Sequence, residues 1–151
     1  GMSDFHYRMA RSGDVPLLAR LNRQLIEDEG HRNTGMTVEQ LEERMRGFLE
    51  GAYEAVLFER DEEVVAYELH RDDGESIYLR QLFVQRDCRR EGIGRRVVQL
   101  LREEVWPMEK RIAVEVLMHN ETGLAFWRSV GFEEYCMTLE MPPVREDSER
   151  S

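Results

Sequence analysis

The chain has 151 residues and is poor in cysteine: there are two, Cys88 and Cys136, without metal-ligand spacing. That excludes a disulfide framework and a cysteine zinc site, and the pair reads as free thiols in a reducing compartment. The four histidines, His6, His31, His70 and His119, also lack ligand spacing, so no metal is expected. No apolar run approaches the roughly 20 residues of a membrane-spanning helix. The N-terminus carries no signal-peptide core, so the expected location is cytoplasmic. Net positive charge is missing as well. The formal charge is −10, which disfavours nucleic acid and anionic membranes as partners and suits an amine or cationic substrate. There is no internal repeat and no dividing linker. One domain is expected over residues 2–141, followed by a polar, disordered tail over 142–151; Gly1 ahead of Met2 reads as a tag scar.

What is present is a globular composition, 41% hydrophobic and 9% aromatic, in a chain long enough to bury a core. Phe5 to Ala10 reads as a strand. Asp14 is a helix N-cap with Pro16 in the first turn, and Leu17, Leu18, Leu21, Leu25 and Ile26 form one stripe that ends at Gly30. Thr37 and Gln40 match a capping box, opening a second helix with Val38, Leu41, Met45, Phe48 and Leu49 inward. Tyr53 to Glu59 and Glu63 to His70 read as strands joined by a polar turn, and Ile77 to Val84 as a third. A helix follows with Ile93, Val97, Leu100, Leu101 and Val105 on one face. Then come a strand over Ile112 to Met118, a short helix over Glu121 to Val130, and a last strand over Phe132 to Met141, stopped by Pro142 and Pro143. The order, β-α-α-β-β-β-α-β-α-β, is that of a mixed α/β domain around one sheet.

The strand ending at Val84 runs into a basic glycine loop, Arg89-Arg90-Glu91-Gly92-Ile93-Gly94-Arg95, at a helix start. Glycine lets backbone approach a ligand closely, and a helix N-terminus offers unpaired N–H groups and a positive dipole end. Such a loop suits phosphate. It is neither a P-loop, which needs Gly-Lys-Ser/Thr, nor a dinucleotide fingerprint, whose third glycine falls on Val97.

Arg89, Gly92 and Gly94 match Arg/Gln-x-x-Gly-x-Gly/Ala, and downstream Asn120, the pair Phe126-Trp127 and then Gly131-Phe132 follow in order. Together these resemble the GNAT superfamily of N-acetyltransferases over nearly the whole chain. The resemblance implies a mostly antiparallel mixed sheet flanked by about four helices, with acetyl-CoA as cosubstrate. It implies that backbone of Leu82, Phe83 and Val84 pairs with the pantetheine arm. The loop from Arg89 through Arg90, Glu91, Gly92, Ile93 and Gly94 to Arg95 would take the pyrophosphate. The strand Ile112 to Met118 would splay from Ile77 to Val84, and Asn120 would touch the arm or cap the short helix. An amine, on a small molecule, peptide or protein, would attack the thioester directly, with backbone N–H near Phe83 polarising the carbonyl. A homodimer is a further expectation from the family.

Two positions depart from the family. Where many members place a tyrosine as proton donor stands Trp127, whose indole donates a hydrogen bond but no proton at neutral pH. It either packs or orients the thiol. Where some place a glutamate base stands Tyr78; Glu68, His70 and Glu115 are the alternatives, each of which also reads as structural or solvated. Glu27-Asp28-Glu29 reads as a solvated helix end or as an acidic patch drawing an amine. Trp127 and Tyr78 at the acid and base positions leave a rival open, a non-catalytic coenzyme A sensor.

Overall fold

A computed structural model describes residues 4–30, 35–89 and 91–144. Its elements are β1 (Phe5–Met9), α1 (Val15–Glu29), α2 (Val38–Glu50), β2 (Tyr53–Arg60), β3 (Glu63–Asp72), β4 (Ser76–Val84), α3 (Ile93–Leu100), β5 (Arg111–Val114) and α4 (Glu121–Ser129). The five strands form one sheet in the order β1-β2-β3-β4-β5. All neighbours are antiparallel except β4 and β5, which run parallel.

Local chemistry explains the junctions. The β2–β3 turn places Asp61 and Glu62 at φ 53° and 70°, the twist that a two-residue hairpin loop requires. Thr37 and Gln40 close the capping box in both directions, at 3.1 and 2.8 Å. Gly30 ends α1 in the left-handed conformation. Asp14 differs from expectation. Its carboxylate accepts from the Arg11 N–H at 2.7 Å and from both Arg8 Nη atoms at 3.0 Å, so it fastens a short 3-10 turn to β1 and makes no hydrogen bond to α1.

Alternation along the strands sorts side chains to two faces. On one, Leu18, Leu21, Leu25 and Met45 of α1 and α2 cover Leu57, Tyr67, Leu69 and Phe83. On the other, Ile93, Val97, Leu101 and Trp106 cover Val56, Phe58, Ala66, Ile77 and Leu79, with Phe126 and Trp127 of α4 against them. The third helix is α-helical only to Leu100. A π turn over Leu101–Val105 follows, and the Trp106 N–H bonds the Leu101 carbonyl at 2.7 Å. That wider turn swings the Trp106 indole onto the sheet.

Two expected strands are corrected. The fifth stops at Val114 instead of running to Met118, because pairing with β4 ends at Leu79–Val114 and no strand among the described residues lies on its other side. Residues 132–141 form no strand. Their apolar alternation, Tyr135, Met137, Leu139 and Met141, is fully displayed to solvent, since a strand exists only where a neighbouring edge accepts its hydrogen bonds. No helix among the described residues is long and apolar enough to cross a membrane.

Candidate active site

β4 and β5 separate at one point. They pair from Ser76–Arg111 to Leu79–Val114 and then part. At the same point β4 bulges: His70 faces Leu79 and Leu69 faces Gln81, so Arg80 is the extra residue. A bulge bends a strand and re-aims its side chains. Before it, Ile77 and Leu79 point to the α3 face. After it, Gln81 and Phe83 point to the α1–α2 face while Leu82 and Val84 pack on the other. Arg80 joins Gln81 on the α1–α2 side, its guanidinium 4.9 Å from the Phe48 ring centre and 5.8 Å from that of Tyr53. Among the described residues, β4 beyond Leu79 has β3 on one edge and no strand on the other. The separation matches the splay expected from the sequence, and among the described residues it leaves no strand against Leu82, Phe83 and Val84 on that side, where Arg89 Nε alone reaches the Val84 carbonyl.

That edge leads into the glycine loop. Gly92 sits at φ 78°, a conformation glycine favours, and among the described residues nothing lies within 4 Å of where a Cβ would project. The Arg96 N–H bonds the Gly92 carbonyl at 3.1 Å, so the N–H groups of Ile93, Gly94 and Arg95 precede the first helical bond. An anion fits this open, N–H-lined corner. Gly94 has a different reason. A Cβ there would meet the Phe126 ring at 3.0 Å, so its smallness lets α4 pack on α3. Arg95 Nη2 donates to the Ser129 carbonyl at 3.1 Å, tying the same two helices. Glu91 pairs with Arg60. Arg89 turns away from the corner: Nη2 reaches Asp28 at 2.6 Å and Nε the Val84 carbonyl at 3.0 Å. Arg90 lies outside the described residues.

The proton-handling residues separate into two groups. Tyr78 and Glu115 come together at the crotch, the phenol donating to Glu115 Oε1 at 2.7 Å. Partial burial and the Glu115 carboxylate push the Tyr78 phenol up to about 12, so it stays a donor. Glu68 is elsewhere, wholly buried on the α3 face. Its Oε1 lies 2.7 Å from His70 Nδ1, and its Oε2 accepts from Trp106 Nε1 at 3.2 Å. Burial pushes that carboxyl up, and its two donors pull it partly back. For His70, burial opposes the charge, but Glu68 and Glu54 outweigh it and raise the imidazole. This cluster fastens β3 to the π turn. Trp127 stands edge-on between Phe126 and Phe132, each 5.1 Å away, in the α4 packing. Asn120 Oδ1 accepts from the Gly123 N–H at 2.9 Å and caps α4. The acidic run at Glu27-Asp28-Glu29 is not an open patch, since Asp28 holds both Arg86 and Arg89.

Sequence reasoning missed the bulge. Its signal was there: the polar neighbours Arg80 and Gln81 interrupt a strand that otherwise alternates. It also missed Asn22 of α1 and Arg44 of α2, whose pairing at 3.2 Å brings together residues far apart in the chain. Among the described residues, no group of three or more His, Cys, Asp or Glu side chains could hold a metal.

Solved structures share this architecture at low identity. A possible acetyltransferase from Clostridium difficile 630 superposes with a TM-score of 0.75 at 18% identity, covering 93% of this chain and 98% of its own. An aminoglycoside N-acetyltransferase in complex with CoA gives 0.74 at 13%, covering 92% and 94%. An aminoglycoside acetyltransferase from an uncultured soil metagenomic sample, in complex with sisomicin, gives 0.70 at 15%, covering 93% and 97%. No curated protein matches the sequence. A family model described as an acetyltransferase (GNAT) domain matches residues 22–141, a span holding the parted strands, the glycine loop and the capped fourth helix. By that match the chain belongs to the GNAT family of acetyltransferases.

Proposed function

We propose that this chain moves an acetyl group from acetyl-CoA to a primary amine, by direct attack while both substrates are bound. The observation that carries this reading is the coincidence, at one end of β4, of the parted sheet, the bulge and the anion-receptive loop. An arm with a pyrophosphate at one end and a thioester at the other suits those parts in that order. N–H groups of Ile93, Gly94 and Arg95 would hold the pyrophosphate, with Gly92 leaving room for it. The edge of Leu82, Phe83 and Val84 would hydrogen-bond the arm as a strand does. CoA supplies the activated acetyl group. A backbone N–H near Phe83 would polarise the carbonyl.

The amine arrives mostly as an ammonium and must lose a proton before attack. Glu115 takes it, held at the crotch by the Tyr78 hydroxyl. The nitrogen lone pair forms the N–C bond, the C–S bond breaks, and the thiolate takes a proton from water. Trp127, packed among rings, supplies none. Neighbours solved with CoA and with a CoA-linked bisubstrate analogue support the cosubstrate. Two free thiols suit a reducing compartment such as the cytoplasm.

The reading extends to a second copy of the chain. Tyr135, Met137, Leu139 and Met141 form an exposed apolar alternation, and the outer edge of β5 meets no strand among the described residues. A homodimer in which this segment adds to the partner's edge would cover both.

Calorimetry with acetyl-CoA, followed by thiol release with a panel of amines, tests the reaction. Binding with amine-dependent release is expected, and Glu115→Gln should lower kcat by roughly 10²-fold or more. Binding without release on any amine would favour a coenzyme A sensor. Absence of binding would remove both.

A further inference from the structure

The face that α1 and α2 lay over β4 carries two arginines, Arg44 and Arg80, without an ion-pair partner among the described residues. The chain has 31 Asp and Glu against 21 Lys and Arg, so an arginine on it has acids in excess to choose from. Several do pair: Arg8 with Asp14, Arg71 with Asp73, Arg86 and Arg89 with Asp28. Arg44 and Arg80 do not; neither meets a carboxylate among the described residues. Both sit instead against the Phe48 ring, 5.5 and 4.9 Å from its centre. Stacking satisfies the face of a guanidinium and leaves its N–H edge unsatisfied.

The N–H edges are also undersupplied. Arg80 Nη1 donates to the Tyr53 hydroxyl at 3.2 Å and Arg44 Nη2 to Asn22 Oδ1 at 3.2 Å. Arg44 Nε is buried with no partner. Asn22 is 1% exposed, and its amide lies at the buried Tyr67 hydroxyl. Buried donors without acceptors are rare and destabilising. Burial, followed by the nearby charge of Arg80, depresses the Arg44 guanidinium below its ordinary value. Two like charges and a buried guanidinium N–H without an acceptor, on one face, describe half of an interaction whose other half is an anion.

The position ties this half-site to the reaction. Arg80 is the bulged residue at the crotch. From it, contacts run unbroken to the proposed base: Tyr53 also accepts from Arg71 Nη1 at 2.8 Å, Arg71 stacks 4.9 Å from the Tyr78 ring centre, and Tyr78 donates to Glu115. Anion-binding and proton-accepting groups therefore line one continuous surface.

We infer that the acceptor amine also carries a carboxylate, held by Arg44 and Arg80 with Asn22 behind them, so that the substrate is a zwitterion of the amino-acid type. The inference rests on the acetyl-transfer reading for the amine end and adds a negative group to the amine or cationic acceptor expected from net charge. A bidentate guanidinium grip on the carboxylate leaves the amine free to face Glu115.

The test compares the proteinogenic amino acids with their carboxamides, which keep the amine and lose the negative charge. Thiol release from acetyl-CoA gives kcat/KM for each pair. In parallel, calorimetry with CoA present measures binding of the N-acetylated acids and N-acetylated amides, with no turnover needed. At least one acid should exceed its amide tenfold or more in both measurements. Arg80→Gln, an exposed change, and Arg44→Gln should each reduce that ratio several-fold, largely through KM. Circular dichroism confirms that both variants are folded. Acid-selective binding without thiol release would uphold the anion site and sink acetyl transfer. Equal values for acids and amides, no acid bound, or a preference that survives both variants would overturn the anion site even if acetyl transfer proceeds.

Discussion

Single residues in this chain serve ends that their type alone does not announce. Gly92, Gly94 and Gly123 show three uses of one missing side chain: a left-handed turn, room for the Phe126 ring, and room for a cap. At Gly123 a Cβ would lie 2.4 Å from Asn120 Nδ2, so the cap and the glycine require each other. Asn120→Ala removes the acceptor for the Gly123 N–H and should destabilise the protein by about 1 kcal/mol. In a chain of this size that lowers the melting temperature by roughly 2–4 °C, readable by calorimetry. A drop in CoA affinity as well would add a direct contact to the cap. The motif residues Arg89, Gly92, Gly94 and Asn120 could be found in the sequence, but their separate duties could not. Pattern fixes spacing, whereas Arg89 turning to Asp28 depends on where α1 ends in space.

Elements were more legible than their joints. Both amphipathic helices over β4, the β2–β3 hairpin and the strand-to-helix passage at Gly92 follow from periodicity and turn chemistry. The π turn did not, because Leu101 and Val105 fit an α-helical stripe equally well; what selects the wider turn is tertiary, the Trp106 indole reaching Glu68. That joint is titratable. Glu68 and His70 both hold protons more tightly when folded than their ordinary values of 4.5 and 6.5. A group whose affinity for protons rises on folding stabilises at low pH and loses that contribution as pH climbs through the raised value. Glu54, 3.4 Å from His70 Nε2, acts in the same direction. Urea midpoints should therefore fall as pH rises above about 4.5 through the Glu68 contribution, and further above about 6.5 through that of His70. His70→Asn should flatten that fall and, by leaving Glu68 without its strongest partner, destabilise the protein at neutral pH by about 3–5 kcal/mol. An unaltered pH slope in that variant would show that the pair does not govern it.

At the scale of the whole molecule, the odd feature is where apolar surface remains. Leu139 is 83% exposed, Tyr135 94% and Met141 93%, on a chain whose two sheet faces are otherwise well covered. The sequence reading of 132–141 as a strand recognised the alternation correctly, but alternation records only that one face wants burial. It says nothing of which edge receives it. Within one chain the outer edge of β5 is four residues long and no strand among the described residues claims it, while the stripe points to solvent. Two chains related by a twofold axis can satisfy both needs at once, each arm lying on the other's β5. Charge supports the same economy: at −10 per chain, two copies repel, so a dimer must come from apolar burial rather than from complementary fields. Light scattering on the eluting protein should then give a mass near twice 17.9 kDa. Leu139→Glu and Met137→Glu place charges in the stripe and should return a 17.9 kDa monomer. Higher salt should tighten the wild-type dimer by screening the repulsion. A wild-type monomer at micromolar concentration would instead return the arm to its own chain.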